Sequence, residues 1–169
     1  MKILIIHNEF QKHGGEDQVV WSEKKLLEDQ GHEVIYFSRN NDELFGYDSS
    51  QKLSFYFKDV YFSQKIYTQL SDFIKEKNPD VIHIHNVLYL LSPAVYQACY
   101  DSGKPIVQSL HNFRIICPIG TCNRRGEVCH DCKDKGTHSV VVNKCFRDSY
   151  VASFMLGRTV TSAPAASTP

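Results

Sequence analysis

Three histidine–asparagine pairs are the residues of this sequence best suited by type and spacing to bind a ligand. They are His7-Asn8, His85-Asn86 and His111-Asn112, and each follows a short apolar run typical of a buried strand. Imidazole and amide groups both donate and accept hydrogen bonds, which suits hydroxyl-rich ligands and phosphates. Ligands bind beyond the carboxyl ends of the strands in an open parallel sheet, so we predict one polar row along the rim of a cleft. A single pair would more simply be a packed histidine and a turn-capping asparagine.

Two features near these pairs are weaker on their own. His83 lies two residues before His85, so its side chain points to the same face of the strand but deeper, and we interpret it as a core histidine. Gly14-Gly15 stands where the first strand gives way to the first helix. Glycines there would let backbone N–H groups approach an anion at the positive end of the helix, although any tight turn would also accommodate them.

The elements that must position these residues alternate between strand and helix. Apolar runs predict strands over residues 2–6, 33–37, 80–84 and 105–110. Helical spacing predicts helices over residues 19–27, within 55–76, over 92–100 and over 148–156. Ser92 is the expected N-cap of the helix over 92–100, with Pro93 in its first turn. The alternation predicts an α/β fold, a Rossmann-like parallel sheet with helices on both faces.

The rest of the chain is predicted to be less regular. Residues 38–52 are polar and rich in turn-forming residues, and residues 117–145 form a loop rich in Cys, Gly, Arg and Lys. From residue 159 onward only Thr, Ser, Ala and Pro occur apart from Val160, so we expect a disordered tail. The sequence thus predicts one domain over residues 1–157 and a tail over 158–169.

Overall composition argues against several kinds of partner and location. Lys plus Arg and Asp plus Glu number 19 each, and this zero formal charge argues against a nucleic-acid partner. No apolar run approaches the ~20 residues of a membrane-spanning helix, and the N-terminal run is too short for a signal peptide. We therefore expect a cytoplasmic protein, in which cysteines remain thiols or bind metal rather than form disulfides.

Five of the six cysteines fall within the irregular loop. They are Cys117, Cys122, Cys129, Cys132 and Cys145. Cys129 and Cys132 have the two-residue spacer of a metal knuckle, and Cys117 and Cys145 could complete a structural zinc site if the loop folds back. Cys122 or His130 could replace Cys117 or Cys145 in this site. The alternative is a set of reduced thiols in an irregular loop.

An ordered set of motifs resembles the N-terminal domain of family 4 glycosyltransferases, which are retaining enzymes with the two-Rossmann-domain GT-B fold. The resemblance extends from Met1 to about Leu156. Its most specific pieces are His-Gly-Gly-Glu at 13–16, Pro-Asp-Val-Ile-His-Ile-His-Asn at 79–86, Leu-His-Asn-Phe-Arg at 110–114, Cys-Pro at 117–118, Gly126, Cys129, Cys132 and Cys-Phe-Arg at 145–147. Together these pieces are similar to the subgroup that assembles bacterial capsule, exopolysaccharide and lipopolysaccharide.

The resemblance implies roles for individual residues. His111 matches the cleft histidine beside the transferred sugar and is the implied catalytic residue. The turn at Gly14-Gly15 would lie against the diphosphate of the donor and against the acceptor. The implied substrate-binding residues are Gly14, Gly15, Glu16, His85, Asn86, Asn112 and Arg114.

The resemblance also implies a function, namely transfer of a sugar from a nucleotide-sugar donor to a glycan or lipid-linked acceptor in cell-surface polysaccharide synthesis. No cofactor is required for this chemistry. The donor-binding C-terminal domain of the family has no counterpart in these residues, so we expect an incomplete acceptor-side half that is inactive alone. Peripheral association with the inner face of the cell membrane is a further expectation.

Two other hypotheses remain open at this stage. The chain could be a non-catalytic binding module that works with a separate donor-domain partner. A metal-dependent hydrolase built on His83 and His85 is the second, but a barrel hydrolase requires about 250 residues and further ligands on later strands.

Overall fold

A four-stranded parallel sheet organises the N-terminal part of the chain. The computed structural model describes residues 1–10 and 14–161, with Leu53 and residues 159–161 described by their backbone alone. The strands are β1 (Lys2–Glu9), β2 (Glu33–Asn40), β3 (Val81–Ile84) and β4 (Ile106–Gln108). Their order is β2-β1-β3-β4 with parallel pairing throughout. The predicted adjacency of the first, third and fourth strands is thereby confirmed, and the strand order reverses between β1 and β3.

Helices cover both faces of this sheet, as the fold class predicted. α1 (Gly15–Asp29) covers one face; after the short helix α2 (Ser49–Ser54), α3 (Gln64–Lys77) and α4 (Ala94–Asp101) cover the other. Alternate residues of β1 point to opposite faces. Leu4 and Ile6 belong to a core cluster with residues of α3 and α4, whereas Ile3 and Ile5 pack with Val20 of α1. The centre of β1 is almost fully buried because both of its faces are covered.

Several element boundaries differ from the sequence prediction. The segment predicted as a surface loop over 38–52 contains the end of β2, a 3₁₀ turn (Asn41–Gly46) and part of α2. Ser92 is not the N-cap of α4, because that position is occupied by Pro93. Ser92 instead has a φ of 57°, and its hydroxyl accepts the N–H groups of Ala94 and Ser63.

The described residues from 112 onward belong to a second compact unit, distinct from that of residues 1–111. It contains the hairpin β5 (Asn123–Arg124) and β6 (Glu127–Val128), followed by α5 (Asp131–Lys135), α6 (Ser139–Val142) and α7 (Tyr150–Thr161). The region predicted as an irregular loop thus holds a hairpin and two short helices. The tail predicted over 158–169 overlaps the end of α7, and residues 162–169 lie outside the described part.

The hairpin turn explains one of the glycines of this unit. Arg125 and Gly126 both have positive φ, 54° and 89°, as a two-residue turn between right-twisted strands requires. Among the described helices, none is long and apolar enough to cross a membrane.

Candidate functional site

The three predicted histidines converge at the carboxyl ends of β1, β3 and β4. The ring centroids of His7 and His85 are 6.1 Å apart, and those of His85 and His111 are 5.2 Å apart in a stacked arrangement. His85 Nδ1 and His111 Nε2 are within hydrogen-bond distance at 2.9 Å. His7 and His85 are buried, however, and only His111 is partly exposed. The row therefore lies largely beneath the surface instead of along a rim.

The asparagines of the first two pairs are structural in their contacts. Asn8 accepts the backbone N–H groups of Leu90 and Leu91 and donates to Asn41. Asn86 donates to the carbonyls of Asn8 and Leu88 and accepts the N–H of Leu88. These bonds fix the segment after β3, in agreement with the turn-capping alternative.

Asn112 and Arg114 belong to the second unit. Asn112 accepts the N–H of Arg114, and the guanidinium of Arg114 donates to the carbonyl of Pro118. A Cβ on Gly120 would lie 3.2 Å from Arg114 Cγ, and Gly120 has a φ of +82°. This turn is therefore tightly packed around the two predicted binding residues.

Asp17 is a site residue that sequence analysis missed. His7 Nε2–H donates to its carboxylate at 2.8 Å, and the N–H of Gly14 donates to the other carboxylate oxygen at 2.8 Å. His7 and Asp17 are both fully buried. Burial alone would raise the pKa of the Asp17 carboxyl, but the Gly14 N–H and His7 outweigh it and lower that pKa. Asp17 thus joins the start of α1 to the end of β1.

Glu23, His83 and His85 form a cluster between α1 and the sheet. Glu23 Oε2 lies 3.3 Å from His85 Nε2 and 3.8 Å from His83 Nδ1, and the two rings are 4.1 Å apart. The ligand atoms of all three lie within 4.8 Å of one another. The prediction that His83 and His85 share a face is correct, but His83 is partly exposed and contacts a carboxylate, so it is not a simple core histidine.

The environment keeps these imidazoles neutral. Burial, with smaller contributions from the neighbouring His83, His111 and His7, lowers the pKa of His85 to about 3. Burial also lowers the pKa of His83, partly offset by Glu23. Neutral imidazole has a free lone pair at one ring nitrogen, which is the form that binds a metal or accepts a hydrogen bond.

All five cysteines of the second unit line one small cavity. Its volume is about 20 Å³, which is the space of roughly one water molecule. The hairpin brings two of these residues together, since the N–H of Cys129 donates to the carbonyl of Cys122 at 2.8 Å. Burial, with smaller contributions from neighbouring thiols, raises the pKa of Cys132 to about 11. No three of the sulfur atoms lie within 4.8 Å of one another in the described part of the chain.

The sequence comparison places the chain in a family. Residues 13–121 match the sequence model of Glycosyltransferase Family 4. The chain belongs to glycosyltransferase family 4. No curated protein matches this family 4 chain. Among solved structures, the co-structure of S. aureus MnaA with UDP has 18% sequence identity and a TM-score of 0.43, over 68% of this chain and 30% of that chain. The chain thus spans less than a third of the length of that protein.

The residues implied by the family resemblance lie at different places in the family 4 chain. His85 and His111 meet at the carboxyl edge of the sheet. Gly14 is the N-cap of α1, and Gly15 and Glu16 begin the helix. A Cβ on Gly15 would meet nothing within 4 Å, so the packing around it does not itself require glycine. His13 lies outside the described residues.

Proposed function

We propose that this family 4 protein is the acceptor-side part of an enzyme that transfers a sugar from a nucleotide-sugar to a glycan or lipid-linked acceptor. The observation that carries the proposal is the His85–His111 pair at the carboxyl edge of the sheet. In open α/β sheets this edge, near the point where strand order reverses, is where ligands bind. The family match covers both residues and supports assigning sugar transfer to the site. Cell-surface polysaccharide synthesis is the process that the motif set favours.

His111 is the proposed catalytic residue, and His85 positions it. With His111 Nε2 directed to His85 Nδ1, a hydroxyl of the substrate would be contacted through His111 Nδ1. If His85 Nδ1 carries the proton and donates it to the hydrogen bond, His111 carries its own proton on Nδ1. His111 would then donate to an oxygen of the sugar or acceptor. A neutral His85 holds this arrangement, because burial opposes its protonation.

The N-terminus of α1 is the proposed contact for the donor diphosphate. A helix N-terminus attracts anions through its exposed N–H groups and its dipole. The N–H of Gly14 is already donated to Asp17, so the contacts to phosphate would come from Gly15 and Glu16. The cationic groups that hold the nucleotide in family 4 enzymes would come from a second domain, so we expect millimolar nucleotide-sugar binding by this chain alone.

Ligand-observed NMR with the 169-residue chain tests the acceptor proposal. The probes are a panel of soluble glycans and a short-chain lipid diphosphate carrying a sugar. We expect saturation transfer to at least one acceptor, lost in His111→Ala and kept in His32→Ala. His32 is a suitable control because it lies just before β2, at the opposite end of the strands. Equal transfer in the wild type and in His111→Ala would contradict the proposal.

A transfer assay separates a half-enzyme from a non-catalytic binding module. The chain alone is expected to give no turnover, because donor and acceptor must be oriented in one closed cleft. Adding a family 4 donor domain in trans should give turnover that His111→Ala abolishes. Acceptor binding without any turnover in that mixture would favour the non-catalytic module.

A further inference from the structure

We propose that Glu23, His83 and His85 form a binding site for a divalent transition-metal ion, with zinc as the leading candidate. The site itself rests on the arrangement of these three side chains, and only its effect on His111 rests on the proposed function. Two imidazoles and one carboxylate are a ligand set that zinc accepts, with a fourth position left for water or another oxygen ligand. Magnesium and calcium are disfavoured, because they prefer oxygen ligands.

The distances between the donor atoms fit such an ion. Zinc–nitrogen and zinc–oxygen bonds of about 2.0–2.2 Å in a tetrahedron place neighbouring ligand atoms about 3.3–3.6 Å apart. Glu23 Oε2 already lies 3.3 Å from His85 Nε2 and 3.8 Å from His83 Nδ1. The donor atoms of the two histidines lie within 4.8 Å of each other, so this pair needs to approach by about 1 Å at most to reach the tetrahedral spacing.

Two of the three atoms that would bind the ion lack hydrogen bonds. His85 Nε2 and Glu23 Oε2 are both buried atoms without a hydrogen-bond partner among the described residues, and the His85 side chain has no solvent exposure. When His85 Nδ1 carries the ring proton, Nε2 presents a lone pair to a carboxylate oxygen 3.3 Å away. Two acceptors facing each other in a buried site are unfavourable unless a cation lies between them.

The outer nitrogen of each histidine is held by a second residue. His83 Nε2 lies 2.8 Å from Ser109 Oγ, and His85 Nδ1 lies 2.9 Å from His111 Nε2. Metal-binding histidines commonly have their second ring nitrogen hydrogen-bonded, which fixes the tautomer and the ring orientation. The side chains of Glu23 and His83 are 36% and 16% exposed, so an ion has a route from solvent.

The ion would act on His111 through His85. Coordination at His85 Nε2 requires the proton on Nδ1, which then donates to His111 Nε2. The ion therefore selects one of the two tautomers of this hydrogen-bonded pair. A metal at this site would fix the orientation and the proton position of the histidine that faces the substrate edge.

Cobalt and zinc titrations of the 169-residue chain test the site. The reference chain is Cys129→Ser/Cys132→Ser, because thiols also bind both ions. In this chain we expect one equivalent of cobalt, with d–d absorption and no thiolate-to-cobalt charge-transfer band. Glu23→Gln in the same background keeps the shape of the side chain and should weaken zinc binding at least about tenfold. The matched control is Glu28→Gln, an exposed residue on the same helix.

¹H–¹⁵N correlation NMR of the histidine side chains supplies a second measurement that does not require the Glu23 variant. Zinc should shift the ¹⁵N signals of His85 Nε2 and His83 Nδ1 and leave His32 and His138 unchanged. The proposal is overturned if the reference chain binds no zinc at micromolar concentration. It is also overturned if binding persists unchanged in Glu23→Gln, or if the shifted histidines are others. The cluster would then be a hydrogen-bonded network without an ion.

Discussion

The chain contains two groups of potential metal ligands that are built in opposite ways. Glu23, His83 and His85 project from one helix and one strand, and their donor atoms already stand within 4.8 Å of one another. Of the five cysteines, only Cys132 lies on a helix and the others lie on turns or beside the hairpin. They line a cavity of about 20 Å³, and no three of their sulfur atoms come that close. Regular elements thus fix ligand distances in advance, whereas loop-borne ligands need an ion to draw them together.

The two groups also differ in what holds their surroundings. The histidine cluster is backed by the apolar centre of β1 and by the buried Asp17–His7 pair. In the described part of the second unit, buried apolar side chains are few, chiefly Cys117, Val140 and Leu156. Small regions with little core depend on metals or disulfides for stability. If zinc binds there, Cys129 and Cys132 are both ligands, because their spacer lets both reach one ion.

The largest expected effect is therefore unfolding of the β5–β6 hairpin when zinc is removed from the cysteines. In the Glu23→Gln chain, which leaves the thiols as the remaining proposed site, chelation of zinc should unfold residues 117–145 and leave β1–β4 folded. Because structural zinc contributes on the order of 10 kcal/mol, amide exchange in the hairpin should accelerate more than ~100-fold. Hydrogen-exchange mass spectrometry under reducing conditions measures both regions at once.

Two results would each contradict zinc binding by the cysteines. One is a zinc content below about a tenth of an equivalent in protein purified without chelator. The other is hairpin protection that chelation does not change. Either would leave the cysteines as reduced thiols, and Cys129→Ser/Cys132→Ser should then change neither protection nor zinc content.

A smaller loss of stability is expected when the buried His7–Asp17 pair at the edge of the sheet is removed. Asp17→Ala leaves His7 Nε2–H and the N–H of Gly14 without their acceptor, and each buried unsatisfied donor costs about 1–3 kcal/mol. Urea denaturation should show a loss in that range or above. Asp29→Ala, at an exposed position on the same helix, should change the free energy of unfolding by less than about 0.5 kcal/mol. Equal effects of the two substitutions would show that the pair does not stabilise the edge.

Acid should remove the same contribution. The pKa of Asp17 is lowered in the folded chain, so the stabilisation is complete above its unfolded value of about 3.9 and is lost as pH falls through the lower folded value. His7, Tyr36 and the backbone N–H groups of Gly14 and Phe10 face this carboxylate. The difference in unfolding free energy between wild type and Asp17→Ala should shrink below about pH 4. A difference that stays constant with pH would contradict a charged Asp17.

The two groups also show which features sequence alone could predict. The apolar runs predict the strands, and their alternation with helices predicts a parallel sheet. These two features were sufficient to predict that His7, His85 and His111 lie at one edge. Glu23 and Asp17 were missed, because their partners depend on which strands α1 covers. A signal was present, since Asp17, Val20, Glu23 and Leu27 share one helix face, and acids on an apolar stripe become buried.

The cysteine region was harder to predict for a physical reason. Its strands are exposed and only two residues long, which is too short to show an alternation of apolar and polar residues. Gly126 was the detectable signal, because a glycine following Asn123 by three residues favours a tight turn. The sequence grouped the thiols correctly around one loop, but their separations depend on turns that periodicity does not determine.

The smallest expected effect tests how tightly the loop-built unit is packed. A Cβ on Gly157 would lie 2.9 Å from Val140 Cγ1, so Gly157→Ala forces α7 and α6 apart or turns the Val140 side chain. Overpacking costs about 1–3 kcal/mol, and the better helix propensity of alanine returns about 1 kcal/mol. A net loss of up to about 2 kcal/mol follows from these two values. Gly46→Ala, where a Cβ meets nothing within 4 Å, is the matched control and should not destabilise.

Since Val140 also lines the cysteine cavity, Gly157→Ala should weaken zinc binding in the Glu23→Gln chain. Unchanged zinc affinity would mean that the position of Val140 does not affect how the thiols bind the ion. The packing of the cavity would then not determine zinc binding.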